Sequence, residues 1–349
     1  MKAFQFLMSL IWLLQTTSSN GFAWEPPINP QPFAVVKNSL PNYTLINSVD
    51  FHPTENLFCV TYTQGNCIIL YRIDPSGNVE LVQTLKNPLA LLSEPQHAIF
   101  STDGKKIIAA NWTNQTLTVY DSHKNDLFYE VPTVIIPASN PLKQNKPHGI
   151  VTSPCGNYLA IAFGASTYYE QAIGIFRITK KGNGYELINK FAAQEGLPGA
   201  PKGIVFSPDG NCLLVTFSNL NNFMIYDLDA QKSILPIPRQ IIQGPETGIS
   251  RPEDIKISSD KKFCAVTNSD RHTVTFYSFD KESNRIADNV PYYTLEAKLC
   301  SPHGVAFSPD GAFMVVTEFG QVFTANDGGI GWKTGIAPEE AKFSVYKMK

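Results

Sequence analysis

Short apolar runs and polar turns alternate along the whole chain, and the alternation recurs as a phrase. PHGVAFSPDGAFMVVTEFG at 302–320 echoes PKGIVFSPDGNCLLVTFSN at 201–219 and PHGIVTSPCGNYLAIAFGA at 147–165. Weaker copies are PQHAIFSTDGKKIIAANWT at 95–113, RPEDIKISSDKKFCAVTNS at 251–269 and NSVDFHPTENLFCVTYTQ at 47–64. Aligned on the residue that ends the first apolar run (Phe51, Phe100, Thr152, Phe206, Ile257 and Phe307), the copies lie 49, 52, 54, 51 and 50 residues apart. A unit repeated in this way cannot bury its apolar face alone and must stack on its neighbours; about fifty residues suits a propeller blade of four strands.

Each copy reads the same way. An apolar run (203–206) leads into a Ser-Pro-Asp-Gly turn (207–210), where Pro fixes φ and Gly accepts a positive φ. A second apolar run (213–217) is followed by an alternating run such as 273–279 or 116–120, then by a less regular fourth run such as 290–295. No stretch of 25–349 keeps a helical period over three turns, and the 25 Pro and 23 Gly are spread as turn punctuation. The pattern predicts one all-β domain over 24–349, a β-propeller of six blades, each of four antiparallel strands. Seven blades is the alternative, if one hides at 121–146 or 227–251. The last copy supplies strands at 311–319 and 343–346 and is then one strand short, whereas 33–36 and 42–46 have no unit of their own. Pairing of this N-terminal segment into the last blade closes the ring and hides its edges.

The remaining composition narrows the setting. A formal net charge of -2 and the lack of any Lys/Arg run argue against a nucleic-acid partner. Residues 1–23 begin Met-Lys, continue with an apolar stretch at 3–14 and end in small residues, the pattern of a secretory signal peptide. That stretch is too short to span a bilayer, so no transmembrane segment is expected in the mature chain. The expected location is secreted, periplasmic or envelope-associated, and cytoplasmic if the segment is not cleaved. The six Cys (59, 67, 155, 212, 264 and 300) show no metal or paired spacing, and Cys59, Cys212 and Cys264 fall in apolar second runs, where a thiol packs as a hydrophobe. Asn42, Asn111 and Asn114 head glycosylation triplets.

In a propeller the first strand of each blade lines the central channel, and its start shares a face with the end of the second strand. The repeat therefore projects a ring of Ser48, His97, His148, Lys202, Glu253 and His303, with Tyr62, Asn111, Phe163, Phe217, Asn268 and Glu318 as second-strand partners. Converging polar groups at a channel mouth are the default site. His148, Lys202, Glu253, His303 and Glu318 are the candidate catalytic residues, and His97, Asn111 and Asn268 the candidate ligand contacts. His and Glu together also suit a divalent metal, although no metal ligand set or other cofactor is assigned. The plainer alternative is that each His serves only its blade, by capping a Pro-His-Gly turn. Segments 132–146 and 320–338 are candidate loops over one face. The Asn-Asp-Gly-Gly-Ile-Gly run at 326–331 has too few carboxylates for a calcium loop and no P-loop lysine.

Pro302-His-Gly-Val-Ala-Phe-Ser-Pro-Asp-Gly followed by Phe313-Met-Val-Val-Thr resembles the YVTN-type repeat of the lactonase-like propellers, a group that includes 6-phosphogluconolactonase-type proteins. Ala109-Ala-Asn111 and Val266-Thr-Asn268 are nearest to the Tyr-Val-Thr-Asn element, and the likeness spans roughly 45–319. The resemblance implies a propeller and, for its enzymes, hydrolysis of a sugar lactone at the channel mouth. The leading expectation is an exported module that binds a protein or small-molecule ligand at that mouth. The alternatives are a lactonase-type hydrolase and a purely structural envelope protein.

Overall fold

A computed structural model describes residues 25–37, 45–123, 127–137, 146–165, 173–178, 184–191, 200–320 and 341–349. The signal-like residues 1–23 lie outside them, as do most of both candidate loops.

Six antiparallel sheets form the molecule. The first blade runs Ile46–Phe51, Leu57–Tyr62, Cys67–Ile73 and Val79–Lys86 from the axis outwards. The next three start with Pro95–Phe100, Lys146–Thr152 and Pro201–Phe206, each with three further strands. The fifth blade, from Pro252–Ile257, adds a two-residue strand, Arg285–Ile286, at its outer edge. The sixth is Pro302–Phe307, Phe313–Glu318 and Lys342–Lys347, completed by Ala34–Lys37 from the other end of the chain, with Val35 opposite Ser344. The expected closure is present, and it is extended by an Ile28–Met348 bridge.

Blade number follows from the interfaces. The buried apolar residues fall into six clusters, each shared by two neighbouring blades, and the cluster between the last and first blades closes the circle. Pro302–Phe307 packs beside Ile46–Phe51. A seventh blade has no gap to occupy. Second strands such as Leu57–Tyr62 and Phe263–Asn268 are buried along their whole length because blades cover both faces, which is why they read as unbroken apolar runs rather than alternating ones.

Hydrogen bonds set the turns. In Ser207-Pro-Asp-Gly210 the Ser hydroxyl donates to Asp209 and accepts from Cys212 N, while Gly210 takes φ +71°. The same Ser–Asp bond recurs at Ser101, Ser258 and Ser308. Across the inner strands a second device repeats. Thr61, Thr267 and Thr317 each accept from an inner-strand N–H of their own blade (Ser48, Asp254 and Gly304) and donate to an inner-strand carbonyl of the next blade (Gln96, His303 and Asn47). Cys59, Cys67, Cys212 and Cys264 are buried free thiols. Asn111 is wholly buried, which closes that glycosylation triplet, whereas Asn114 is exposed.

Phe343, in the closing blade, is fully buried and packs edge-on against Phe58 and Tyr71 of the first. Phe343→Ala is expected to cost about 3–5 kcal/mol. A loss of less than ~1 kcal/mol, read from urea unfolding at unchanged slope, would show that the seam between last and first blades does not carry the ring.

Candidate functional site

Counting back four residues from each anchor gives Asn47, Gln96, His148, Lys202, Glu253 and His303, and these six line the mouth of the channel. The expected ring named Ser48 and His97 at this level, and both sit one residue further along. The difference is one of counting: Ser48 and His97 stand three residues before Phe51 and Phe100, whereas the other four ring positions stand four before their anchors. The same bulge occurs in every blade (in the second, Pro95 lies opposite Asn111 but His97 opposite Ala110), and Ser48 and His97 line the same pocket.

His97 has a repeated inter-blade role. Its Nδ1 accepts from Ile150 N of the next blade (3.1 Å), as Ser48 Oγ accepts from Ala98 N (3.2 Å) and Asp254 Oδ2 from Val305 N (3.1 Å). Where this position is glycine, the next backbone comes closer. A Cβ on Gly149 would lie 2.0 Å from the Lys202 carbonyl oxygen, and one on Gly203 2.6 Å from Asp254 Cα. A further ion pair, Lys256 Nζ to Asp50 Oδ1 (3.8 Å), spans the channel three residues along the inner strands from the mouth.

At the mouth, four of the five candidate catalytic residues meet. Glu253 is the hub. Its Oε2 lies 3.7 Å from Lys202 Nζ and 3.5 Å from His303 Nε2, and its Oε1 lies 3.5 Å from Arg251 Nε. The His148 and His303 rings are 6.2 Å apart. Phe319 stacks on His303 (4.3 Å), and Trp112 lies edge-on to His148 (6.0 Å) beneath the ammonium groups of Lys146 and Lys202. The space between these groups, open at the mouth, is about 10 Å³, room for the centre of one water or ion.

Glu318, the fifth candidate, stays apart. Its Oε2 accepts from Cys300 N and faces Lys342 Nζ (3.4 Å), and its Oε1 accepts from Ser344 Oγ (2.8 Å). The candidate ligand contacts Asn111 and Asn268 occupy the same place in their blades. Their Oδ1 atoms accept from Ser93 N and Ser250 N, and their Nδ2 atoms donate to Thr118 and Thr275 on the third strand. All three side chains tie the entering loop to its own sheet.

Several mouth residues were not expected: Asn47, Gln96, Arg251, Trp112 and Phe319. A strict count from the anchors finds the first two. Arg251 precedes the inner strand in a left-handed turn (φ +49°), where its N–H donates to Asn221 Oδ1. Glu94 and Ser301 repeat this turn, held by Asn66 and His272. Arg251 opens its own copy of the phrase, whereas the matching Glu94 and Ser301 precede theirs and differ in residue type.

Burial dominates the proton equilibria. It pushes the His303 pKa down to about 4, with Lys202 and Arg251 adding to the effect and Glu253 opposing it. His148 is held well below its ordinary value by burial, then by Lys202. Burial also lowers Lys202, against the pull of Glu253. Burial therefore favours the uncharged form of both imidazoles beside the Glu253 carboxyl group, with Lys202 and Arg251 next to it. This arrangement can accept a proton from a water and offset negative charge formed beside it.

An unfolded chain takes up a proton at His303 near the ordinary value of about 6.5, but the folded protein does so only near 4. Between those values the unfolded state holds more protons, so stability falls as pH drops through the window. At about 1.4 kcal/mol per pH unit the loss approaches ~3 kcal/mol at pH 4. His303→Gln removes this loss, so its urea-derived stability should drop less than the wild type's between pH 7 and pH 4. Asp254, raised by burial to about 6, titrates with the opposite sign in this window but is common to both proteins. Equal drops would mean that His303 titrates as it does in water.

The sequence over 46–249 matches the family described as "Lactonase, 7-bladed beta-propeller", which covers more than half of the chain. No curated protein matches. Among solved structures, the periplasmic gluconolactonase of Pseudomonas aeruginosa is similar at 16% identity and TM-score 0.59, over 87% of this chain and 88% of that one. A proposed 6-phosphogluconolactonase of Bacteroides uniformis is similar at 14% identity and TM-score 0.59, over 89% and 90%. A luciferin-regenerating enzyme is similar at 14% identity and TM-score 0.61, over 91% and 95%. At these identities the likeness shows the fold. The family's description counts seven blades and this ring closes with six; with that difference, the chain belongs to the lactonase family of β-propellers.

Proposed function

We propose that this protein hydrolyses a lactone at the mouth of its channel. Family membership favours this alternative over the binding module that led the sequence reading. The observation that carries it is Glu253 Oε2, a buried carboxylate oxygen with no hydrogen-bond partner, set between the His303 imidazole and the Lys202 ammonium. A buried polar atom left in this state costs stability, and the cost is explained if a water or substrate oxygen completes it.

The chemistry needs one base and one patch of positive charge. Glu253 takes a proton from water as the water oxygen adds to the lactone carbonyl carbon. Lys202 and Arg251 offset the charge that develops on the carbonyl oxygen. The tetrahedral intermediate then breaks its bond to the ring oxygen, and the proton held on Glu253 passes to that leaving oxygen. The products are a carboxylic acid and an alcohol in one opened chain. His303 and His148, uncharged, orient the water through their ring nitrogens, and Trp112 and Phe319 offer apolar faces to a sugar ring.

Purified protein should open an aldonolactone such as glucono-δ-lactone faster than the buffer does, followed by acid release at constant pH. Glu253→Gln should lower kcat by about 10²–10⁴ while the protein still melts cooperatively. Hydrolysis undiminished in Glu253→Gln, or no hydrolysis across a panel of five- and six-membered aldonolactones, would sink the reading.

A further inference from the structure

We propose that His148, Glu253 and His303 form a binding site for one divalent transition-metal ion, of zinc or cobalt type. The inference stands on the geometry of these side chains and does not require the hydrolase reading.

Each residue offers one ligand atom, and the three atoms lie within 4.8 Å of one another. Atoms bound to a common ion at about 2.0–2.2 Å are separated by up to ~4 Å, so small side-chain rotations bring the set together. All three residues are at least nine-tenths buried. His148 Nε2, Glu253 Oε2 and His303 Nδ1 have no hydrogen-bond partner, and the space beside them admits one water-sized body. His303 turns its other ring nitrogen, Nε2, towards Glu253 Oε2 at 3.5 Å, and a satisfied structural cluster would not leave each of its three residues with a buried polar atom that makes no hydrogen bond. Two neutral imidazoles and one carboxylate are a borderline donor set that favours zinc-like ions over calcium and leaves positions open for water.

The backbone holds the set in place. His303 is fixed through its carbonyl by Thr267, and the His148 ring makes a hydrogen bond with the Lys202 backbone. The carboxylate of Glu253 is shared with Lys202 and Arg251. Two cations beside the site oppose a dication, which gives the proposal a specific signature: removing the Lys202 charge should tighten metal binding, although Lys202 is not itself a ligand.

The test is titration of untagged, chelator-treated protein with Co²⁺, read by visible absorption and by calorimetry. The expected result is one equivalent bound, with d–d bands of a low-coordinate ion and no thiolate charge-transfer band. His148→Ala and Glu253→Gln should each weaken binding by at least about tenfold, and Lys202→Met should strengthen it several-fold. His123→Ala controls for the separate His52, Asp103 and His123 pocket and should change nothing. Absence of a one-equivalent event, binding unchanged in both ligand variants, or an affinity indifferent to Lys202→Met would each overturn the proposal. If a ligand variant does not fold, as judged by its metal-free melt, Lys202→Met and the remaining ligand variant decide. Turnover is measured separately, so a metal-free lactonase and a metal-binding protein without hydrolysis are both recognisable outcomes.

Discussion

The hydrogen bonds that pass from one inner strand to the next are the constraint on which the site depends. Six strands converge on one axis, and residues next to their starts bring polar groups to a space that holds a single water. Loose blades would let those groups move apart into solvent. Thr61, Thr267 and Thr317 prevent this by joining an N–H of one blade to a carbonyl of the next. Ser48, His97 and Asp254 add a second set of ties one step along. Because each hydroxyl serves two backbones, the position of His303 is set by the fifth-blade sequence around Thr267 as much as by its own strand. Closure by Ala34–Lys37 completes the circuit, so each blade is held on both sides.

That rigidity sustains an electrostatic arrangement the chain would otherwise avoid. Burial pushes His148 and His303 towards their neutral forms and lowers Lys202. A buried charge pair is weak evidence for stability, since desolvation cancels much of the attraction. The six apolar interfaces between blades are the larger favourable contribution, through the area they remove from water. The mouth cluster is therefore held by the ring and not the reverse.

How much of this could be read from the sequence follows from where the repeat is regular. The fifty-residue period gave the blade and the blade number, because every apolar run recurs. The closure was legible from arithmetic, with one strand missing at the end and one spare at the start. Register at the axis was not, because Asn47-Ser48 and Gln96-His97 are each two polar residues in succession, and the apolar pattern does not say which of the two shares the level of His148. Ser48 and His97 were chosen, and they do line the pocket, while Asn47 and Gln96 beside them were passed over. Trp112, Arg251 and Phe319 were hidden for a different reason: they flank the strands, where the turn at Arg251 recurs at Glu94 and Ser301 but the residue type does not.

Departures from the repeat were informative in one place and misleading in another, and the partners explain why. Glu318 replaces the Asn of Asn111 and Asn268, but Ser344 and Lys342 on its own third strand absorb the change. The carboxylate still accepts the loop N–H that the amide accepts elsewhere. Compensation inside one blade leaves the ring unaltered, so the substitution points to packing. Lys202 and Glu253 also break the repeat, yet their partners lie in different blades, along with His303 from a third. No single blade gains from that exchange, and Glu253 Oε2 still lacks a hydrogen bond. A departure whose compensation crosses blades, and remains incomplete, is the one that a local folding requirement cannot account for.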